Sequence, residues 1–598
     1  RQMCIRDSIY GGSSVYGTGN PVALLKDYGH IRNVYGTLLA DLSIRQDLSA
    51  LTKGLAAEAS VSFDNIGGMN ETTNKEYRYM NSNASITSDG TLVTTPAIYG
   101  TDSETLGHTQ PFERLMLRSD FQAKVNYNRT FGKHQVGGAL IYDMQSVVKN
   151  GRNNSQKNQS VLVNATYTYD NRYSLNAVFN RSGSAYLPDG DKYSNYPAVS
   201  AAWIVSNEAF MEKVTPINLF KIRASYGLSG WDGNLSHELW RQSYGSGGAG
   251  YNFGVNAGGQ SGGSEGDLPV IGLVAEKSQK ATFGFDLAAF DNRLNATVEG
   301  FYEKRSDILV SGANSTSGII GITVGQVNEG IYKYKGLDAS LSWNDKIGDF
   351  HYGIGASMSY LNTEVVNVNQ AYQEYDYLYT KGNRIGQMYG LEAIGFFNSQ
   401  QEINNSPQQT FSDVAPGDVK YKDQNGDNRI DEKDVVKMFG SSVPRFYFGF
   451  NLNFSYKRVE LSADFQGMTG VTVSLLNSPL YSPLVSNGNI SNTFLNEEIS
   501  WTPENKTNAT MPRLTTQENL NNYRDSSLWY RDGSFLKLRN LLVAYTFPKS
   551  QTRFADLKVF VQGTNLFSLD NLHFADPEQL GIAYPSTRSY WAGIKLNF

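Results

Sequence analysis

A single cysteine, Cys4, stands among 598 residues, so neither a disulfide framework nor a thiolate metal site can be built from this chain. No stretch approaches the roughly 18 consecutive apolar residues that a helical membrane span requires. Charged residues are only 18% of the chain and net to -5, with no basic run, a balance that argues against a nucleic-acid partner. The histidines (His30, His108, His134, His237, His351 and His573) are scattered without the paired spacing of a zinc site. No nucleophile elbow is present, and no catalytic carboxylate pair stands out from the many Asp and Glu, so an enzymatic role has no support. Gly245-Ser-Gly-Gly-Ala-Gly250 formally matches the dinucleotide fingerprint. It lacks a surrounding βαβ unit and a downstream acidic residue at the right distance, so it reads as a flexible loop. Arg1–Ser8 shows neither a signal-peptide core nor a strand pattern and reads as a non-native leader.

What the chain does have is aromatics, 37 Tyr and 30 Phe against 7 Trp, together with 58 Gly. These suit strands with many residues at polar–apolar borders. Mean hydropathy is unremarkable at -0.40, yet the last ten residues alternate cleanly. Tyr590, Ala592, Ile594, Leu596 and Phe598 fall on one face; Ser589, Trp591, Gly593, Lys595 and Asn597 fall on the other. An outer-membrane β-barrel closes on such a strand, which needs only about ten residues, half of them apolar.

The alternation recurs along the chain. Leu115, Leu117, Phe121, Ala123, Val125 and Tyr127 share one face; so do Val161, Val163, Ala165, Tyr167 and Tyr169. The cleanest hairpin sets Phe446, Phe448, Phe450, Leu452 and Phe454 beside Val459, Leu461, Ala463 and Phe465. This rule predicts about seventeen half-buried antiparallel strands. Short connections (132–133, 170–172, 290–293, 344–349, 457–458, 548–556) alternate with long ones (64–112, 182–197, 229–276, 309–333, 364–443, 468–533, 567–587). Every long loop therefore falls on one side, the plan of tight periplasmic turns and elaborate extracellular loops. Residues 204–219 are the one mismatch, a longer link on the short side.

Several segments resemble the SusC/RagA-type TonB-linked outer-membrane transporters. They are Ser200-Ala-Ala-Trp-Ile-Val-Ser-Asn-Glu-Ala-Phe-Met211, Lys221-Ile-Arg-Ala-Ser-Tyr-Gly-Leu-Ser-Gly230, Phe290-Asp-Asn-Arg-Leu294 with Tyr302-Glu-Lys-Arg305, and Asn328-Glu-Gly330 ahead of Lys335-Gly336. Pro416-Gly-Asp-Val-Lys-Tyr421, Asp423-Gln-Asn-Gly-Asp427, Gly533-Ser-Phe-Leu-Lys-Leu-Arg539, Gly563-Thr-Asn-Leu-Phe567, Tyr584-Pro585 and the Phe598 end complete the set. The resemblance implies an all-β fold, a transmembrane antiparallel β-barrel of about twenty-two strands. Residues 21–598 would be its C-terminal part, without the plug domain, preceded by an N-terminal segment at 1–20. It also implies an outer-membrane location and TonB-dependent uptake of oligosaccharide or peptide. The partners would be a SusD-like surface lipoprotein and, through the plug, the TonB complex; Phe598 would serve as the assembly signal. A passive porin-type barrel and a surface adhesin or lectin displaying long loops are the rival readings.

Two sets of loop residues carry candidate chemistry. Asp423, Asn425, Asp427, Asp431 and Asp434 occupy the first, third, fifth, ninth and twelfth positions of an EF-hand-like loop, with Arg429 offering its carbonyl at the seventh. Hard oxygen ligands at that spacing suit Ca²⁺, although Asn428 replaces the usual glycine and Asp434 is shorter than the usual Glu. Trp231, Trp240, Tyr244 and Tyr251 lie in one long loop and Tyr375 and Tyr377 in another, as flat faces that could stack on sugar rings or peptide side chains. Packing between loops, or edging of the membrane belt, is the plainer explanation for any one of them.

Overall fold

The computed structural model describes residues 9–12, 20–87, 90–149, 155–236, 239–252, 259–312, 314, 319, 321–322, 324–476, 499–515, 519–572, 576–579 and 586–597. Among them no helix is long and apolar enough to cross a membrane. The chain divides into two compact units, one of Arg1–Ala50, Ala56–Val125 and Ile141–Ser160, the other of Leu51–Leu55, Asn126–Leu140 and Val161–Phe598.

In the first unit β1 (Gly29–Asp47) pairs antiparallel with β2 (Leu55–Asn74), in register from Gly29↔Asn74 to Asp47↔Ala56. A separate three-stranded sheet joins Tyr10–Gly11, Tyr79–Ile86 and Leu92–Tyr99. The strands β3 (Phe112–Phe131), β4 (His134–Val148) and β5 (Ser155–Tyr169) follow in the chain.

The larger unit is a meander. It runs through β6 (Tyr173–Ser184), β7 (Tyr193–Ile204), β8 (Ile217–Trp231), β9 (Glu276–Ala289), β10 (Leu294–Ser311), β11 (Gln326–Ile347) and β12 (Phe350–Asn367). It continues through β13 (Phe446–Tyr456), β14 (Val459–Thr469), β15 (Phe535–Phe547), β16 (Asp556–Asp570) and β17 (Ser589–Asn597). Each of these strands is antiparallel to the next. Together they form the wall of a transmembrane antiparallel β-barrel.

The register explains the burial. Phe179, Val199, Tyr226 and Ala281 meet across or along neighbouring strands on one face, and Ile354, Leu452 and Ala463 do so further along. The larger side chains of this face are widely exposed: Leu175 is 48% exposed, Val199 45% and Phe283 64%. The alternate residues, such as Ser174, Asn176, Asp286 and Thr297, are half-buried. A sheet that turns its apolar face outward and its polar face inward is built for lipid. In water so much exposed apolar surface would be strongly unfavourable.

Connection lengths alternate as the sequence predicts, so the links at 170–172, 290–293, 348–349, 457–458 and 548–555 share one end of the wall. Aromatics on the outward face gather at that end: Tyr173 on Trp203 (centroids 6.4 Å apart), Phe290 on Trp343 (5.9 Å), Phe350 on Phe454 (6.1 Å) and Tyr545 on Phe547 (4.7 Å). At the long-loop end Tyr360 packs on Phe446 at 4.9 Å. Such girdles sit where the membrane meets water. The terminal strand β17 pairs Leu596↔Leu557, Ile594↔Val559 and Ala592↔Val561, placing the predicted apolar face with that of β16. Phe598 itself lies outside the described residues.

Candidate functional site

The long links are folded structures with cores of their own. Leu391, Val419, Tyr421 and Ile430 form one buried cluster, with Phe396, Phe411 and Leu528 against it. Leu475, Met511, Trp529 and Leu572 form a second. The segment Pro416–Tyr421 supplies Val419 and Tyr421 to the first cluster, and its polar groups are satisfied internally. Asp418, with no solvent exposure, takes both ends of the Arg513 guanidinium fork and the side-chain amides of Asn519 (3.1 Å) and Asn522 (2.8 Å). The backbone N–H of Ala415 adds a further bond at 2.8 Å. A buried carboxylate is tolerated when every oxygen is so engaged. Gly417, at φ +94, is required next to it, since a Cβ there would lie 2.4 Å from the Trp501 ring.

Around that carboxylate the buried amides pair with backbone. The Gln409 amide donates to Asn521 Oδ1 and to the Val419 carbonyl, both at 2.8 Å, and accepts from the Tyr421 N–H at 2.8 Å. Tyr421 donates its hydroxyl to the Asn521 carbonyl at 2.7 Å, and burial raises its pKa above the ordinary tyrosine value. Burial likewise pushes Tyr523 up to about 12. Sequence reading missed this network. Its one local signal is the amide-rich Asn519-Leu-Asn-Asn522.

A second ionic cluster pins the last loop to the wall. Lys537 Nζ of β15 reaches Asp576 Oδ1 at 2.5 Å and Glu578 Oε2 at 2.6 Å, and Arg539 also pairs with Glu578. Burial works to raise Asp576, but the hydrogen bonds from Lys537 and Ser586 prevail and hold it at about 2. Glu578 is lowered in the same way, by Arg539 and Lys537 acting against burial.

Loop 423–434 is closed by its own side chains. Asp423 accepts the N–H groups of Gly426 (2.7 Å) and Asn428 (2.9 Å), Asn425 accepts that of Asp427 (3.0 Å), and Asp427 accepts that of Arg429 (2.8 Å). Asp434, fully buried, accepts from Gln424 N (2.7 Å) and Asp431 N (2.9 Å), while Asp431 accepts from Lys433 N (2.8 Å). Asn428 adopts φ +63, the left-handed turn that asparagine tolerates where glycine is usual. Among the described residues no group of three or more His, Cys, Asp or Glu side chains is arranged to hold a metal ion. The side-chain oxygens of Asp423, Asn425, Asp427, Asp431 and Asp434 expected to ligate Ca²⁺ accept from loop amides here, although each keeps a further lone pair.

Of the candidate aromatics, Tyr375 and Tyr377 stack on each other at 5.3 Å and 13°. The Tyr377 hydroxyl donates to the Lys433 carbonyl at 2.7 Å, and Lys433 Nζ pairs with Glu374 at 2.8 Å. The structure thus brings this aromatic pair against the acidic loop. Burial first, and then Asp434, raise the pKa of Tyr377. Trp231, at the end of β8, is 55% exposed and Tyr244 76%. Trp240 packs against the cluster of Leu187, Leu235, Val270 and Leu273, with the Arg241 guanidinium 4.4 Å from its ring centroid. Tyr251 follows Tyr244 in a short strand, its side chain outside the described residues.

On the inward face of the wall Lys221 and Arg223 both meet Asp286 (3.3 and 3.4 Å), and Arg223 also pairs with Glu299. Arg223, Glu299, Asp338, Ser359, Tyr447 and Gln466 line a recess of about 480 Å³ there. The recess mixes these polar and charged side chains with Ala339, Met358 and Phe448, and the polar ones suit a hydrated interior or hydrophilic cargo.

No family model matches the chain. TonB-dependent receptor P26 of Formosa agariphila is 28% identical over 461 residues, covering 72% of this chain and 45% of the relative. TonB-dependent receptor SusC of Bacteroides thetaiotaomicron is 20% identical over 463 residues, covering 72% and 43%. Among solved structures the RagAB peptide importer in its open-open state shares the fold. Its TM-score is 0.73 at 18% identity, over 100% of this chain and 64% of that one. The chain spans about half the length of the curated relatives it matches. In sequence the chain is thus similar to TonB-dependent receptors, SusC among them, it shares the fold of the RagAB importer, and its lipid-facing wall is that of an outer-membrane β-barrel.

Proposed function

We propose that the protein takes up oligomeric nutrients, glycan or peptide, across the outer membrane in a TonB-dependent manner, with a SusD-like surface lipoprotein seated over its long loops. The observation that carries this reading is the cored, hydrogen-bonded fold of the long links around Asp418. Loops that serve only as a passive pore mouth need no buried polar core, whereas a receptor must hold binding surfaces in place before cargo arrives. Receptors and a peptide importer among the relatives and fold neighbours support uptake over adhesion. The test is deletion of the gene, followed by growth on defined oligosaccharides and oligopeptides as sole nutrient. Loss of growth on one class, restored by the gene and abolished again when TonB is removed, is the expected result. Unimpaired growth and uptake on every class would leave the adhesin reading in its place.

A further inference from the structure

The one long link on the short-turn side, 205–216, has a fold that a simple connection does not need. It contains two 3₁₀ turns, Val205–Asn207 and Ala209–Met211. Between them Glu208 folds back onto the wall, accepting the Tyr173 hydroxyl at 2.6 Å and the Trp203 indole N–H at 3.0 Å, with Arg172 Nη1 at 3.4 Å. Tyr173 and Trp203 are directly paired in register and stack at 15°. They share the face of Leu175, Phe179 and Val199, the face turned to lipid. Glu208 therefore lies on the outside of the wall, at the level of the periplasmic aromatic girdle. Asn207 fixes the turn from the other side by donating to the Asn171 carbonyl at 2.7 Å. Held this way, the link presents Phe210 at 65% exposed and Val214 at 37%, next to the charged and exposed Glu212 and Lys213.

We propose that this link is a membrane-interface anchor, with Phe210 and Val214 inserted at the headgroup–acyl boundary of the periplasmic leaflet. The occupant of the apolar patch is phospholipid because Glu208, two residues before Phe210, is bonded to Tyr173 and Trp203 of the lipid-facing belt and so holds the link at the edge of that belt. Apolar side chains flanked by charge, at the depth of an aromatic girdle, are the residues that settle at that boundary. The Glu208 clamp sets the direction: it satisfies the polar ends of the two girdle aromatics and aims the second 3₁₀ turn along the membrane. Glu212 and Lys213 remain in water.

The test uses the full-length protein with Cys4→Ser, reconstituted into phosphatidylethanolamine–phosphatidylglycerol vesicles containing a lipid spin-labelled near the headgroup. A polarity-sensitive fluorophore is placed at Phe210→Cys or at Glu212→Cys. The label at position 210 is expected to be quenched several-fold more by the lipid spin label, and the label at position 212 by aqueous iodide. Adding Glu208→Ala is expected to shrink that difference. Val214→Cys supplies a second probe should Phe210→Cys fail to insert. Equal iodide quenching at the apolar and charged positions, with no lipid quenching at either apolar one, would overturn the anchor and leave the link as a water-facing surface for a periplasmic protein.

Discussion

Arg513 grips Asp418 across a long stretch of chain, with Nε 2.8 Å from Oδ1 and Nη2 3.1 Å from Oδ2. Two long loops are joined at this pair, and the carboxylate end of it is sealed from solvent. Removing one partner of a buried, hydrogen-bonded pair costs about 3–5 kcal/mol, more than the pair itself contributes, because the other charge is stranded. Arg513→Ala should therefore open the loop core while the lipid-facing wall stays folded. Hydrogen exchange would show this as faster exchange across 415–421 and 519–529, with the strands β13 and β14 unchanged.

The faces of β13 give a second expectation. Phe450 stacks on Phe465 at 4.4 Å on the outward face, whereas Asn451 is in register with Gly355 and Asp464 on the inward one. Phe450→Arg should destabilise by about 2–4 kcal/mol near the midplane, and Asn451→Arg by much less. Refolding titrations in lipid vesicles measure both; equal tolerance at the two positions would contradict the assigned faces.

The Lys537 cluster gives a pH dependence. Asp576, held at about 2 in the folded protein, sits below its unfolded value of about 4. A depressed carboxylate contributes stability that is fully present above the unfolded value and is lost as pH falls through the folded one. The last loop should therefore stay docked from neutral pH down to about 4 and loosen between about 4 and 2. Protease sensitivity of the segment carrying Asp576 reads this directly, and Lys537→Met should show the loosened pattern at neutral pH.

We expect Asp423→Ala or Asp427→Ala to loosen loop 423–434 and raise its protease sensitivity without unfolding the wall. Each removes an acceptor for loop amides. Our proposal that the same loop takes Ca²⁺ at the modest affinity of extracellular modules adds that a chelator reproduces the effect in the parent and adds nothing in the variants. An unchanged cleavage pattern on chelation would leave an acidic turn closed by its own amides.

Deletion of Phe598, the proposed assembly signal, should reduce heat-modifiable, membrane-inserted protein far more than one side chain's buried area accounts for. Normal insertion of the shortened chain would remove that role.

The wall was legible in the sequence because strand periodicity is local. Alternation such as Val161-Leu-Val-Asn-Ala-Thr-Tyr assigns each side chain to one of two faces, and the alternation of link lengths then assigns each end of every strand to a side of the membrane. No long-range information is needed for either. The link at 204–219 was visible only as an irregularity; its meaning required seeing Glu208 against Tyr173 and Trp203. In the long loops there is no period to read. Aspartates in a tight run suggested a cation site by spacing alone, while the tertiary structure turned their oxygens to loop amides and set Tyr377 against Lys433. Whether Asp418 is a surface charge or the centre of a buried network depended on Arg513, Asn519 and Asn522 arriving from another loop. Burial and partner choice are properties of the packed chain, so only the fold could decide them.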